Sequence, residues 1–160
     1  MGIARGIPML ATAAVLGSAL AGVGLAQAIE VKDPGLVPYV IKDNAIAASL
    51  TGHPGDPKLG LKVAVDRGLG NCLSCHSLPI KDEEFPGNVG PDLAGVGSRL
   101  SVGELRLRLV DAKRVNPATS MPGFYKVSGL SDVDKKHLGK PMLSAEQIED
   151  VVADLASLKN

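Results

Sequence analysis

Two cysteines and a histidine constrain this chain more than any other feature, because they lie together in the segment Cys72-Leu73-Ser74-Cys75-His76. In a C-x-x-C-H motif the two thiols can form thioethers with the vinyl groups of a haem, and the histidine can ligate the iron. The chain has no other cysteines. The motif therefore predicts a fold built around one covalent haem c, with Cys72 and Cys75 as attachment points and His76 as an axial ligand.

Two other chemistries share part of this pattern. A C-x-x-C pair also occurs in thioredoxin-like redox proteins, where it belongs to a βαβ unit. The residues before Cys72 have a helical pattern instead, and the adjacent His76 favours haem. A zinc site would need four ligands, and no second Cys/His cluster of suitable spacing completes the set.

The first residues of the chain predict export. Arg5 is the only charged side chain before Glu30, an Ala- and Gly-rich apolar run follows it, and Ala26-Gln27-Ala28 is a small-x-small cleavage site. We therefore expect residues 1–28 to be a cleaved signal peptide and the mature protein to be periplasmic, a location where covalent haem attachment occurs.

A retained membrane helix is the alternative for this region. The uncharged run over residues 6–29 is long enough, since about 20 apolar residues span a bilayer. Pro8 and the many small residues make it a poor spanning helix, so we expect cleavage and no stable membrane insertion.

The size of the remaining chain suits one domain. The 17 basic and 17 acidic residues balance, and no basic stripe with interleaved aromatics occurs, so we expect no nucleic-acid partner. The chain has no Trp, two Phe and two Tyr. Because aromatic residues normally contribute much of the buried area of a core, a haem would supply the missing apolar mass.

A haem iron held from one side has either a second protein ligand or an open face. Met121 lies in a Pro- and Gly-rich segment, residues 116–123, which cannot be a continuous helix and can bring a thioether across a haem. Met142 sits just before the last predicted helix, where core packing is the commoner role. His137 lies in a polar run and His53 in a turn, and we expect both to be exposed. Met121 is the predicted second ligand, and His53 is the alternative if the iron is held by two histidines.

The segment around Gly90-Pro91 offers a hydrogen-bond acceptor for His76. A flanking glycine permits close approach, so the carbonyl of Pro91 could accept from the outer ring nitrogen and orient the imidazole. An ordinary Gly-Pro turn explains the same residues.

Caps and apolar spacing place three helices. They are a helix over residues 57–69 capped by Asp56, a helix from the Ser101–Glu104 capping box to the stop at Asn116-Pro117, and a last helix from the Ser144–Gln147 box. The apolar stripe of the last helix consists of Ile148, Val151, Val152, Leu155 and Leu158. No segment alternates as a strand does, so the prediction is an all-α domain over residues 56–160, preceded by an extended arm over residues 29–55.

With these parts in order, the chain resembles class I cytochrome c over residues 56–160. In that family a Gly-Pro carbonyl orients the haem histidine, which implies this role for Pro91, and the terminal helices cross each other. Asp154 departs from the family, because it lies at about the place where the last helix often carries an aromatic residue. Smaller aliphatic groups are then expected at the helix contact.

A closer resemblance is to the SoxX family, the monohaem subunits of the SoxAX cytochromes of thiosulfate oxidation. The segments that carry it are Ser-Leu-Thr-Gly at residues 49–52 with Gly55-Asp56-Pro57, Gly70-Asn71 before the haem motif, Asn-Pro-x-Thr-x-Met at residues 116–121, and residues 140–152. The resemblance implies iron ligation by His76 and Met121 and a heterodimer with the larger cytochrome SoxA.

The SoxAX reaction joins thiosulfate oxidatively to a cysteine of the carrier SoxYZ. Because Cys72 and Cys75 are both used as thioethers, this chain has no thiol left to carry a sulfur intermediate. We therefore expect no catalytic residue in it. Its predicted role is to accept and relay electrons, with transient contact to SoxYZ and to a downstream acceptor.

Two other functions stay open. One is a freely diffusing monohaem electron carrier, which the arm over residues 29–55 argues against, since a subunit could wrap such an arm around its partner. The arm could equally be a disordered terminus. The other is an enzyme such as a haem peroxidase or a gas-binding cytochrome, which would need an open axial position.

Overall fold

The structure, a computed structural model, describes residues 1–2, 27–81 and 85–160. In this part of the chain lie the α-helices α1 (Pro57–Val65), α2 (Val96–Arg99), α3 (Val102–Asp111) and α4 (Ala145–Ser157). Short 3₁₀ turns cover Cys72–Ser74, Ala112–Arg114 and Lys135–His137. Strands β1 (Ile29–Val31) and β2 (Tyr39–Ile41) pair antiparallel, with Ile29 opposite Ile41.

Most of the predicted signal peptide lies outside the described residues, including the apolar run and Ala26 of its cleavage site. Among the helices that the structure describes, none has both the length and the apolar character needed to cross a bilayer.

The helix starts predicted from the capping residues are confirmed. The carboxylate of Asp56 accepts from the N–H of Lys58 at 2.8 Å at the start of α1. Ser101 and Ser144 each form a complete capping box, with Glu104 and Gln147 respectively.

The predicted helix ends were less accurate. Helix α1 ends at Val65, four residues before the predicted end, because Asp66 is extended and residues 67–70 turn back. The N–H of Gly70 donates to the carbonyl of Val63 at 3.1 Å in this turn. Helix α3 likewise changes to a 3₁₀ turn at Ala112, ahead of the predicted stop at Asn116.

The centre of the fold is the crossing of α1 and α4. A Cβ atom at Gly60 would lie 2.0 Å from the backbone oxygen of Asp150, so the two helices touch backbone to backbone. The first four residues of the predicted α4 stripe are buried, and Leu158, just beyond the helix, is half-buried. Asp154 itself lies at this contact, because a Cβ atom at Gly60 would be 2.9 Å from the Cβ atom of Asp154.

The sequence analysis missed β1 and β2, which form a small sheet in the N-terminal region; the all-α prediction was made for residues 56–160, whose described part has helices and no strand. Each strand has three residues, too few for an alternating pattern to be recognised. Within β2 the alternation is nonetheless present, since Tyr39 and Ile41 are buried and Val40 is exposed.

The prediction of an extended arm is wrong, because residues 29–55 fold onto the helical domain. Four of their apolar side chains enter the core, namely Tyr39, Ile41, Ile46 and Leu50. The N–H of Ile46 donates to the carbonyl of Gly103 at 3.0 Å.

A buried ion pair connects this N-terminal region with α3 and α4. Arg106 and Glu149, only 3% and 2% exposed, meet at 2.7 Å between Nε and Oε1. Arg106 also donates to the carbonyl of Ile46 at 2.6 Å, and Glu149 accepts from the N–H of Leu50 at 2.9 Å. The charges are thus satisfied by two helices and by the backbone of the N-terminal region.

Candidate cofactor site

A cavity of about 740 Å³ opens beside the C-x-x-C-H motif. Its volume falls in the range of about 300–1,000 Å³ that small-molecule and cofactor sites occupy. Its walls are largely apolar and come from α2, α3 and the loops around the motif. The apolar lining includes Leu93, Val96, Leu100, Leu105, Leu109, Val115, Phe124 and Leu155.

The 3₁₀ turn over Cys72–Ser74 brings the three motif side chains to this cavity. Asn71 precedes the turn with a φ of 48°, and the N–H groups of Cys75 and His76 both donate to the carbonyl of Cys72, at 3.1 and 2.9 Å. Both cysteines and His76 line the cavity as a result.

Pro91 holds the imidazole of His76 in one orientation. Nδ1 of His76 lies 2.7 Å from the carbonyl oxygen of Pro91. Because a carbonyl only accepts, Nδ1 carries the proton and Nε2 keeps its lone pair, the state that a metal ligand requires. A Cβ atom at Gly90 would lie 2.3 Å from the ring, so only glycine permits this contact.

Met121 lies on a long irregular segment and lines the same cavity as His76. We call residues 115–143 the Met-bearing segment; they run from the 3₁₀ turn after α3 to the cap of α4 and contain no α-helix. The N–H of Met121 donates to Oγ1 of Thr119 at 3.1 Å.

The other candidate iron ligands from the sequence analysis differ in whether they line the cavity. Met142 and His137 also line the cavity, whereas His53 is not among its lining residues. His53 is exposed, as predicted, and its Nδ1 lies 3.3 Å from the carbonyl oxygen of Pro54. Met142 is half-buried against the core.

The charged side chains that line the cavity are cationic, namely Arg67, Arg99, Arg108 and Lys136; the part of the chain that the structure describes contributes no carboxylate to the lining. Sequence reasoning missed these residues. It named Lys113, Arg114 and Lys126 as candidate contacts of a docking surface, with solvent-exposed side chains as the commoner interpretation, and none of those three lines the cavity.

The three cations named from the sequence make other contacts. Lys126 and Arg114 lie 2.7 and 3.6 Å from Oδ2 of the buried Asp111, and Lys113 donates to the carbonyl of Thr119 at 3.0 Å. A basic residue looks the same in the sequence at a cavity rim and beside a buried carboxylate. Only the packing of α2 and α3 decides whether a basic residue lies at the cavity rim or beside a buried carboxylate.

The environment of Cys72 does not suit a redox-active dithiol. Burial raises the pKa of its thiol to about 11, whereas reactive cysteines have lowered pKa values because the thiolate is the nucleophile. Across residues 1–2, 27–81 and 85–160, no group of three or more His, Cys, Asp or Glu side chains is arranged to hold a metal ion, so a zinc cluster has no support.

The residues present fit a haem c. Two thiols at C-x-x-C spacing, an imidazole with a free Nε2 and a thioether line one apolar cavity, and the cations at its edge suit the two carboxylates of the porphyrin. Together with the crossing of α1 and α4, this arrangement is consistent with the class I cytochrome c fold.

Comparison with known proteins identifies the family within this class. Neither the protein-family models nor the curated proteins contain a match to this chain. Among solved structures, SoxXA from P. pantotrophus matches with 42% sequence identity and a TM-score of 0.71, over 76% of this chain and 95% of that chain. The chain therefore belongs to the SoxX family, which confirms the resemblance found in the sequence.

Proposed function

We propose that this protein is the haem-bearing electron-transfer subunit of a SoxAX-type complex. The observation that carries the proposal is the single cavity that His76, Met121 and both cysteines line. The 42% identity to SoxXA supports the Sox assignment.

In this proposal Cys72 and Cys75 would attach one haem c, and His76 and Met121 would ligate its iron. Bound haem c supplies a one-electron redox centre. Pro91 keeps the imidazole proton on Nδ1, and the apolar walls contributed by α2 and α3 exclude water from the cavity. A thioether ligand raises the reduction potential, which suits a group that receives electrons.

The sulfur chemistry of the complex belongs to other chains in this proposal. Both cysteines would hold the haem, and His76 and Met121 would both hold its iron, so this chain would have no free thiol and no further iron ligand position to offer to sulfur chemistry. The chain therefore accepts and relays the electrons released when thiosulfate is coupled to a cysteine of SoxYZ. Its stable partner is a SoxA-type cytochrome, and its contacts with SoxYZ and with the downstream acceptor are transient.

The location follows from the predicted signal peptide. Residues 1–28 are removed on export, and the mature chain works in the periplasm. Ala28, after which cleavage is predicted, directly precedes β1.

One structural observation favours a second candidate function, a freely diffusing monohaem electron carrier. The N-terminal region over residues 29–55 packs against its own domain through four buried apolar side chains, Tyr39, Ile41, Ile46 and Leu50, although Ile29, Val37 and Val40 are exposed. Residues 29–55 therefore no longer argue for a stable subunit. The presence of a stable partner must be tested directly.

The test is purification of the tagged native chain from thiosulfate-grown cells. We expect an equimolar second haem protein to co-elute, and addition of SoxYZ and thiosulfate to the complex to reduce haem. Recovery of a lone monohaem protein, even at low salt, would contradict the subunit assignment and support the free carrier.

Covalent attachment has its own matched test within the motif. The double variant Cys72→Ser/Cys75→Ser is expected to lose haem stain from the chain on a denaturing gel, because both thioethers are removed. Ser74→Ala lies in the same 3₁₀ turn, changes only an exposed hydroxyl and is expected to keep the stain. Equal staining of both variants at the wild-type level would contradict the role of Cys72 and Cys75.

A further inference from the structure

The backbone around Met121 is positioned by individual contacts rather than by regular structure. The Met-bearing segment contains one 3₁₀ turn, Lys135–His137, and no α-helix or strand. Segments of this kind open more easily than helices, because few hydrogen bonds have to break together. The contacts on each side of Met121 therefore decide how firmly its thioether is held.

On the N-terminal side of Met121 the contacts are local. The side chains of Asn116 and Thr119 accept from the N–H groups of Ala118 and Met121, at 3.0 and 3.1 Å. Lys113, in the adjoining 3₁₀ turn, donates to the carbonyl of Thr119 at 3.0 Å and is exposed. These bonds shape the turn but anchor it weakly to the rest of the domain.

On the C-terminal side of Met121 the segment is anchored in the core. The N–H of Phe124 donates to the carbonyl of Leu109 on α3 at 2.9 Å, and its own carbonyl accepts from the N–H of Leu143 at 3.0 Å. Phe124 and Tyr125 are both buried. This anchor lies three residues after Met121, close enough to limit how far the thioether can move.

The N-terminal hairpin, residues 29–41, adds a second set of contacts directly after this anchor. Oη of Tyr125 accepts from the N–H of Val37 at 3.0 Å. The carboxylate of Asp33 accepts from the N–H of Val127 at 3.1 Å and from the hydroxyl of Ser128. Two residues of the hairpin, Asp33 and Val37, thus hold three positions of the Met-bearing segment, namely Tyr125, Val127 and Ser128.

The contact made by Asp33 is a strong one. The side chain is buried, and burial alone would raise its pKa; the hydrogen bonds from Ser128 and Val127 outweigh burial and lower the pKa below its ordinary value. The ionised carboxylate is therefore stabilised in place. Hydrogen bonds to charged groups contribute more than those between neutral groups.

We infer that the N-terminal hairpin positions Met121, with Asp33 and Tyr125 as the residues through which it acts. The inference rests on the proposed function, since it requires Met121 as an axial ligand. It assigns the hairpin a role in electron transfer: by restraining the Met-bearing segment it keeps the thioether on the iron. A merely structural hairpin would stabilise the fold without affecting that bond.

The test measures how fast imidazole replaces Met121 in the ferric holoprotein, since the Met-bearing segment must open before an added ligand can enter. Asp33→Asn is expected to accelerate imidazole binding roughly tenfold, and Tyr125→Phe roughly fivefold, in line with the loss of one hydrogen bond to a charged and one to a neutral group. The thioether-to-iron absorption band should disappear on heating before the helical circular dichroism signal does.

Glu30→Gln is the matched control. It makes the same carboxylate-to-amide change in the same hairpin, but Glu30 is exposed and pairs only with the exposed Lys32. Its imidazole binding rate is expected to equal that of the wild type. If Asp33→Asn fails to fold, Tyr125→Phe decides the test, because it removes a single oxygen atom.

Two negative results are distinguishable. Rates within twofold of the wild type in Asp33→Asn and Tyr125→Phe, with the wild-type band present, would overturn the positioning role alone and leave Met121 ligation intact. A wild-type protein without the thioether band would overturn the proposed ligation, and this inference with it.

Discussion

The α1–α4 crossing and the Met-bearing segment support the walls of the same cavity in different ways. The crossing is made by regular helices in backbone contact, and the turn with both cysteines and His76 follows α1 closely. The Met-bearing segment carries Met121 on irregular backbone tied down by separate hydrogen bonds. The difference indicates that the backbone around His76 is held rigidly by packed helices. The backbone around Met121 stays in place only as long as its separate hydrogen bonds remain.

The predictions below test this difference, in order of their expected effect on the free energy of unfolding. The first three concern α4 and its contacts with α1 and α3, which we call the helical frame. We expect changes there to affect the unfolding of the whole domain. The last concerns the Met-bearing segment, where we expect a local one.

Glu149→Leu should destabilise the frame most, by about 3–5 kcal/mol, because it leaves the guanidinium of Arg106 buried without its partner. Urea unfolding followed by circular dichroism measures the change. The double variant Arg106→Leu/Glu149→Leu, which removes both charges, is expected to be more stable than the single variant. The opposite order would show that the lost charge pairing is not the cause.

Asp154→Asn should remove a pH dependence from the same frame. Asp154 is 6% exposed, its Oδ2 has no hydrogen-bond partner in the described residues, and burial raises its pKa to about 6. A raised pKa means that the folded state binds the proton more tightly. The associated stability is fully present below the ordinary pKa of about 4 and is lost as pH rises through about 6.

The expected size is about 3 kcal/mol between pH 4 and pH 8, from a pKa shift of roughly two units at 1.36 kcal/mol each. Urea unfolding at both pH values measures it. The wild type should lose this much stability at the higher pH, and Asp154→Asn should not. Parallel pH profiles of the two proteins would rule out Asp154 as the titrating group.

Ser144→Ala should cost about 1 kcal/mol, since it removes the hydroxyl that caps α4. Thermal unfolding measures it, and Ser157→Ala, at the other end of the same helix, serves as the comparison. We expect the thioether band of Ser144→Ala to persist until the helices unfold. Loss of the band well before unfolding would show that α4 and the Met-bearing segment are more closely coupled than the contacts indicate.

Met121→Leu should change the free energy of unfolding little, by less than about 1.5 kcal/mol as a volume-conserving replacement, yet abolish the thioether band. Its reduction potential should fall, because a thioether ligand raises it. Met142→Leu is the matched control, since Met142 lines the same cavity, and it should keep both the band and the potential. The reverse result would make Met142 the ligand.

The features predictable from sequence are those with short-range causes. The capping boxes at Ser101 and Ser144 are each complete within four residues, and both appear in the structure. The C-x-x-C-H spacing likewise specifies its chemistry locally. Helix ends were predicted less well, because α1 ends where Gly70 turns back to bond Val63, a contact that no local pattern encodes.

The features missed from sequence depend on distant contacts. Asp33 bonds residues 94 and 95 positions away, and Val37 bonds Tyr125 across 88 positions. In the sequence, residues 29–55 lack a periodic apolar pattern and contain several prolines, which suggested an extended arm. Their burial depends on the surface of α3 and the Met-bearing segment, which exists only after the chain has folded.

The sequence by itself determined the SoxX family, the C-x-x-C-H motif and the caps that begin the principal helices, because each depends on residue types at fixed short spacings. Only the tertiary structure decided which cations line the cavity, where the N-terminal region lies and which contacts hold Met121. Those depend on surfaces brought together by the crossing of α1 and α4, and the free energy of burying such surfaces is a property of the folded chain rather than of any one segment.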